Sequence, residues 1–176
     1  MIKDGLSSDY ESKSRWVGSS FLIIGSITVI YALFSVLALN SVIGMALLIA
    51  GGIATYGTAK INLTSPISWM KSLHLLLFGL FFLLYPANDT AGIVVCVGRF
   101  FLLETILTLV LAYVVQERPT AIFWVVNAVV CAFIAYLSLL GLQNISEAVV
   151  GVFVAIALII NGSALLYSGR TIYIRP

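Results

Sequence analysis

The sequence predicts an all-α, polytopic membrane protein of six transmembrane helices built as three consecutive helical hairpin repeats, and three observations predict it. The chain is 61% hydrophobic and 9% charged, whereas an ordinary soluble domain is about a quarter charged, so its apolar surface calls for lipid as solvent. Predominantly apolar stretches near the roughly 20 residues needed to cross about 30 Å of hydrocarbon occur six times. Basic residues gather on one side of the alternating connections, as short cytoplasmic loops require.

The first element is a polar tail, 1–15, holding Lys3, Lys13 and Arg15. Together with the apolar run behind it, the tail resembles a secretory signal. That run is about 24 residues long, however, against roughly 7–15 for a signal core, and no cleavage pattern closes it, so it is expected to stay as the first span. The expected spans are 16–39, 41–59 and 68–85, then 90–115, 120–141 and 145–168, followed by a cytoplasmic tail at 169–176. Each must be a helix, because an isolated segment in lipid has to satisfy its own backbone.

Turn chemistry marks the breaks. Asn40-Ser41, Pro86-Ala87-Asn88-Asp89 and Gln143-Asn144 fall on one side, Thr64-Ser65-Pro66 and Glu117-Arg118-Pro119 on the other. The second side also collects Lys3, Lys13, Arg15, Lys60, Lys71, Arg118, Arg170 and Arg175, whereas the first offers only Asp89 and Glu147. Both termini are therefore expected in the cytoplasm, with the protein a multi-pass component of a bacterial inner membrane.

Trp16, Trp69 and Trp124 each sit near the start of an odd-numbered span, at intervals of 53 and 55 residues, which points to an internal repeat. The even-numbered spans carry small residues at intervals of three and four. Ala50, Gly51, Ala54 and Gly57 do so in the second, and Gly151, Ala155, Gly162 and Ala164 in the sixth. Such stripes let helix backbones approach closely, so these spans are expected to be the packing elements of the bundle.

Composition also excludes. A formal net charge of +2 with scattered basic residues gives no nucleic-acid surface. Cys96 and Cys131 lie in apolar runs, where a thiol behaves as a small hydrophobe, and with a single His they offer no zinc-like spacing. No metal, cofactor or disulfide is expected. Catalytic signatures are absent from the sequence, since it has no Ser-His-Asp set, HExxH or phosphate-binding glycine loop. The Asn-x-Ser/Thr triplets at Asn62, Asn88, Asn144 and Asn161 lie in the cytoplasm, in a span or against the membrane, and are not expected to be glycosylated.

The pattern resembles the HdeD family of small bacterial inner-membrane proteins associated with acid resistance. The resemblance rests on Phe21-Leu-Ile-Ile-Gly25, on Ser41-Val-Ile-Gly-Met-Ala-Leu-Leu-Ile-Ala-Gly-Gly-Ile53, on Leu77-Phe-Gly-Leu-Phe-Phe-Leu-Leu-Tyr-Pro86 and on Val150-Gly-Val-Phe-Val-Ala-Ile-Ala-Leu-Ile-Ile-Asn-Gly162. It covers all six spans. Leu39-Asn40-Ser41 departs from it, since the family commonly has a Pro at that turn. The resemblance implies a non-enzymatic protein of acid or general stress tolerance and brings no catalytic residues.

Lys71 and Glu147 stand near the ends of their spans, whereas the fourth span carries charge deep within it, with Arg99 and Glu104. An ionisable group at membrane depth costs at least about 2.5 kcal/mol on insertion scales, so each should face protein or water. Five residues apart, they project about 140° from each other, and each is expected to find its partner on another helix. The candidates are Asn127, Asn161, His74, Tyr31, Tyr56 and Tyr136. Arg99, Glu104, Asn127 and Asn161 thus form the candidate intramembrane polar site. It is either part of a proton or solute pathway, or glue within the bundle. His74 follows Lys71 by one turn, where the ammonium would oppose its protonation, and reads as an interfacial histidine. With Asp89 and Glu147 it completes the residues that could respond to pH. Alternatives to the stress-tolerance reading are a small channel or transporter subunit using Arg99 and Glu104, and a membrane chaperone or assembly factor. The expected partners are the lipid bilayer and either further copies of the chain or another membrane protein.

Overall fold

The computed structural model describes residues 2–34, 39–61, 65–84, 90–114, 118–141 and 146–171, with the backbone alone at 2–11 and at a few helix ends. The described chain is helical throughout. Its elements are α1 (Ile2–Phe34), α2 (Leu39–Ile61), α3 (Pro66–Leu84), α4 (Thr90–Val114), α5 (Arg118–Tyr136), continued by a π turn at Leu137–Gly141, and α6 (Glu147–Thr171). Each contains a segment long and apolar enough to cross a bilayer, the shortest being Pro66–Leu84 with 19 residues. Large apolar side chains stay on the outside at every level, among them Ile30, Leu77, Ile106, Val129 and Leu140. That surface is stable only against lipid, and the chain is a multi-pass membrane protein.

Element ends follow local chemistry. Pro66 opens α3 where a missing N–H costs nothing, and Pro119 stands in the first turn of α5. Two expectations shift. Helix α1 begins at Ile2 and so runs back through the segment expected as a polar tail, because a nucleated helix propagates readily through residues that include no Pro. The expected turn residues Asn40-Ser41 belong to α2, which begins at Leu39, and Asn40 sits buried in its first turn. Asn suits either a turn or a helix start, so sequence could not separate the two. The other expected turn residues at 86–89 and 143–144, together with Asp89 itself, lie outside the described residues.

Packing runs in a ring. The most extensive contacts join α1 to α6, α2 to α3 and α4 to α5, while the sequential hairpins α1/α2, α3/α4 and α5/α6 touch less. Each even-numbered helix therefore packs most closely on the odd-numbered helix of the next hairpin, and α6 closes the ring on α1. The three hairpins thus meet one another in the same way. This packing also explains the stripes of small residues.

A Cβ on Gly162 would lie 2.7 Å from the carbonyl oxygen of Gly18. One on Gly79 would lie 2.6 Å from the amide nitrogen of Leu48, and one on Gly51 2.7 Å from that of Leu76. Gly98 is similarly closed by Leu139 and Ser138, at the π turn. Backbones approach at these points because nothing stands between them.

The pairs are antiparallel. Ser14 Oγ donates to the Leu165 carbonyl at 2.8 Å, and Thr58 and Ser72 share a hydroxyl hydrogen bond at 3.1 Å. Both chain termini consequently lie at one end of the bundle, here called the terminal end.

Candidate functional site

Four helices contribute polar side chains to one buried cluster, and each does so at helical spacing. Lys71 and His74 stand three apart on α3, Glu104 and Thr108 four apart on α4, and Asn127 and Cys131 four apart on α5, while Asn161 comes from α6. Residues three or four apart share a face, so each pair turns inward together. Glu104 is at 0% exposure, and Asn127, Asn161, His74 and Thr108 are buried too.

Glu104 is the centre. Its Oε1 accepts from Lys71 Nζ at 3.0 Å and from Asn161 Nδ2 at 3.0 Å, with Thr108 Oγ1 at 3.5 Å. The Asn161 carbonyl oxygen in turn accepts from Lys71 Nζ at 2.7 Å and from Asn127 Nδ2 at 3.0 Å. Lys71 also donates to Thr108 at 3.1 Å and lies 4.6 Å from the centre of the Trp124 ring, a cation–π contact. The Cys131 thiol approaches the Asn127 carbonyl oxygen at 3.7 Å. Opposite charges and matched donors satisfy one another here, which is the condition for keeping an ion pair out of water.

The second carboxylate oxygen is different. Glu104 Oε2 faces His74 Nδ1 at 3.4 Å without a hydrogen bond, and neither His74 nitrogen has a hydrogen-bond partner among the described residues. The imidazole is held by rings instead, stacked on Phe100 at 4.7 Å and edge-on to Phe78 at 4.9 Å. Phe101 extends this aromatic floor at 5.1 Å from Phe100. Beyond it, towards the end of the bundle away from the termini, come the buried Ile93, Val94 and Val97. The cluster begins about 8 Å in from the start of α3, at 1.5 Å per residue over the five residues from Pro66 to Lys71. Lys71 is its least enclosed member, at 12% side-chain exposure.

The structure brings together three of the four residues of the candidate intramembrane site and separates the fourth. Glu104, Asn127 and Asn161 meet; Arg99 does not join them and is exposed on the outer surface of α4. The expected angle of about 140° between Arg99 and Glu104 is the cause, since one of the two must leave the bundle when the other enters it. Among the suggested partners of Glu104, Asn161 and His74 face it. Tyr31, Tyr56 and Tyr136 are exposed at 46%, 56% and 60%. Tyr56 sits edge-on to Trp16 at 6.1 Å instead.

His74 is not interfacial. It is buried beside a carboxylate, and Lys71, expected to repel a charge there, is paired to that same carboxylate. Asp89 and the side chain of Glu147 lie outside the described residues. Lys71, Thr108, Trp124 and Cys131 were not foreseen as members; polar residues recurring at three and four along otherwise apolar helices were the signal that could have found them.

Both cysteines are free thiols, and no group of three or more His, Cys, Asp or Glu side chains comes together among the described residues. No family model matches the chain, and no curated protein or solved structure matches it either.

Proposed function

We propose that this chain is a non-enzymatic bacterial inner-membrane protein of HdeD-like character that contributes to acid or general stress tolerance, with both termini in the cytoplasm. The observation that carries the reading is the position of Glu104, wholly buried and bonded to α3 through Lys71 and to α6 through Asn161. A proton delivered to that carboxylate would remove the charge that Lys71 is paired with. The tie between α3, α4 and α6 would then weaken together. The groups facing Glu104 are Lys71 and His74 from α3, Thr108 from its own helix and Asn161 from α6. Excess basic residues at the terminal end support the cytoplasmic placement.

The test is survival. Deleting the gene from its host is expected to lower survival of an acid challenge, with wild type restoring it and Glu104→Gln restoring it only in part. Equal survival of the deletion and parent strains would remove the reading.

The aromatic floor argues against conduction, because buried polar side chains beyond it thin to Thr28, Asn40 and Ser138 among the described residues. Liposomes containing the purified protein should accordingly hold an imposed pH difference as long as empty ones do. A leak in the wild type that Glu104→Gln abolishes would establish a channel or transporter in its place.

A further inference from the structure

Arg99 lies on α4, seven residues past Gly92, the first residue of the membrane-crossing stretch Gly92–Val114. At 1.5 Å per residue that is about 10 Å below the end of the span. The side chain is exposed and makes no hydrogen bond or ion pair with any described residue. A charge at this depth on a lipid-facing surface is stabilised by an anion, and the described side chains supply none. Glu104 is the one carboxylate in the six candidate spans, and it is fully buried and already paired. The described side chains of a second copy therefore bring no counter-charge to this level.

Two features of α4 say where the anion comes from. Helical side chains lean towards the helix N-terminus, which for α4 is the nearer membrane surface, the one away from the chain termini. One turn and two turns up that same face stand Val95, Cys96 and Gly92, all partly exposed and small or short. These short side chains cover the path from the guanidinium to the surface less than larger ones would. Below Arg99 the same face carries the exposed, bulky Leu102, Leu103 and Ile106, unlike the small-residue surfaces on which membrane helices pack.

We propose that Arg99, with the short side chains of Gly92, Val95 and Cys96 beside it, forms a phospholipid-binding site. In it the guanidinium holds a headgroup phosphate of the leaflet at the end of the bundle away from the termini. Guanidinium and phosphate match as a bidentate, charge-assisted pair, and the lipid's glycerol end lies over the short side chains between Arg99 and the surface.

Native mass spectrometry of the protein released from nanodiscs of phosphatidylcholine doped with phosphatidylglycerol tests this. Wild type should retain a phospholipid at collision energies that strip it from Arg99→Ala, with at least a fivefold difference in occupancy. Arg99→Lys should fall between, as a single-point donor. Lys60→Ala, which removes an exposed lysine from the opposite end, should match wild type. In a second arm that needs only wild type, discs mixing phosphatidylglycerol with a phosphorus-free glycolipid of the same acyl chains should give retained phosphatidylglycerol in excess of its share. Equal retention by wild type and Arg99→Ala, or no preference over the glycolipid, would overturn the site. So would a stoichiometric acidic membrane protein co-purifying with wild type and lost from Arg99→Ala, because it would show that a protein carboxylate fills the place assigned to phosphate.

Discussion

Lys71→Met is expected to destabilise the bundle by about 3–5 kcal/mol, the usual loss when one partner of a buried ion pair is removed. Glu104 would keep its charge at 0% exposure with only Asn161 and Thr108 to bond it. The converse, Glu104→Ala, should cost less, because the Lys71 side chain is 12% exposed and close enough to the terminal end to turn its ammonium towards water. The loss in Lys71→Met should shrink as pH falls, since acid neutralises the stranded carboxylate. Pairing Lys71→Met with Glu104→Leu should recover most of the stability, because a matched apolar pair needs no desolvation of charge. Recovery will be incomplete by about 1–3 kcal/mol, as the Asn161 amide loses its acceptor. Unfolding by denaturing detergent in mixed micelles, followed by far-UV circular dichroism, measures all four proteins. A double variant no more stable than Lys71→Met would mean that the two charges do not act as a pair.

Gly79→Ala should destabilise by about 1–3 kcal/mol, a large effect for one methyl group. The new carbon would sit 2.6 Å from the Leu48 amide nitrogen and 3.0 Å from the Gly44 carbonyl oxygen. Backbone atoms of a packed helix cannot turn aside as a side chain can, so α2 and α3 would have to separate. Gly52→Ala is the control. Nothing lies within 4 Å of its added Cβ, and exchanging Gly for Ala inside a helix raises stability by up to about 1 kcal/mol. The same unfolding assay should move in opposite directions for the two substitutions. A loss at both positions would mean that general intolerance of alanine, not the close crossing, governs them.

Some of the candidate site was legible along the chain, and some was not. Glu104 and Arg99 stood out because charge is rare in these spans, and the angle between them on one helix already implied different surroundings. Which of them would face inward could not be read, since α4 is apolar on every face and offers no stripe to say which side is the core. His74 and Lys71 were misjudged for a related reason. Their place near the start of the third span suggests a wet interface, and only the approach of α4 and α6 turns that level of α3 into the interior.

By itself the sequence determined the number of membrane-crossing helices, because hydrocarbon admits only long, predominantly apolar segments that satisfy their own backbones. It determined the small-residue stripes of the even-numbered helices for a similarly local reason, namely that close approach needs missing side chains. The tertiary structure alone decided which helices meet, closing α6 onto α1 and setting each even-numbered helix against the next hairpin. With that ring came the meeting of Lys71, His74, Glu104, Asn127 and Asn161, and the exclusion of Arg99. Lipid makes every outward face acceptable to an apolar helix, so hydrophobicity cannot choose neighbours in a membrane. Backbone contact at glycine and the pairing of a few buried charges make that choice.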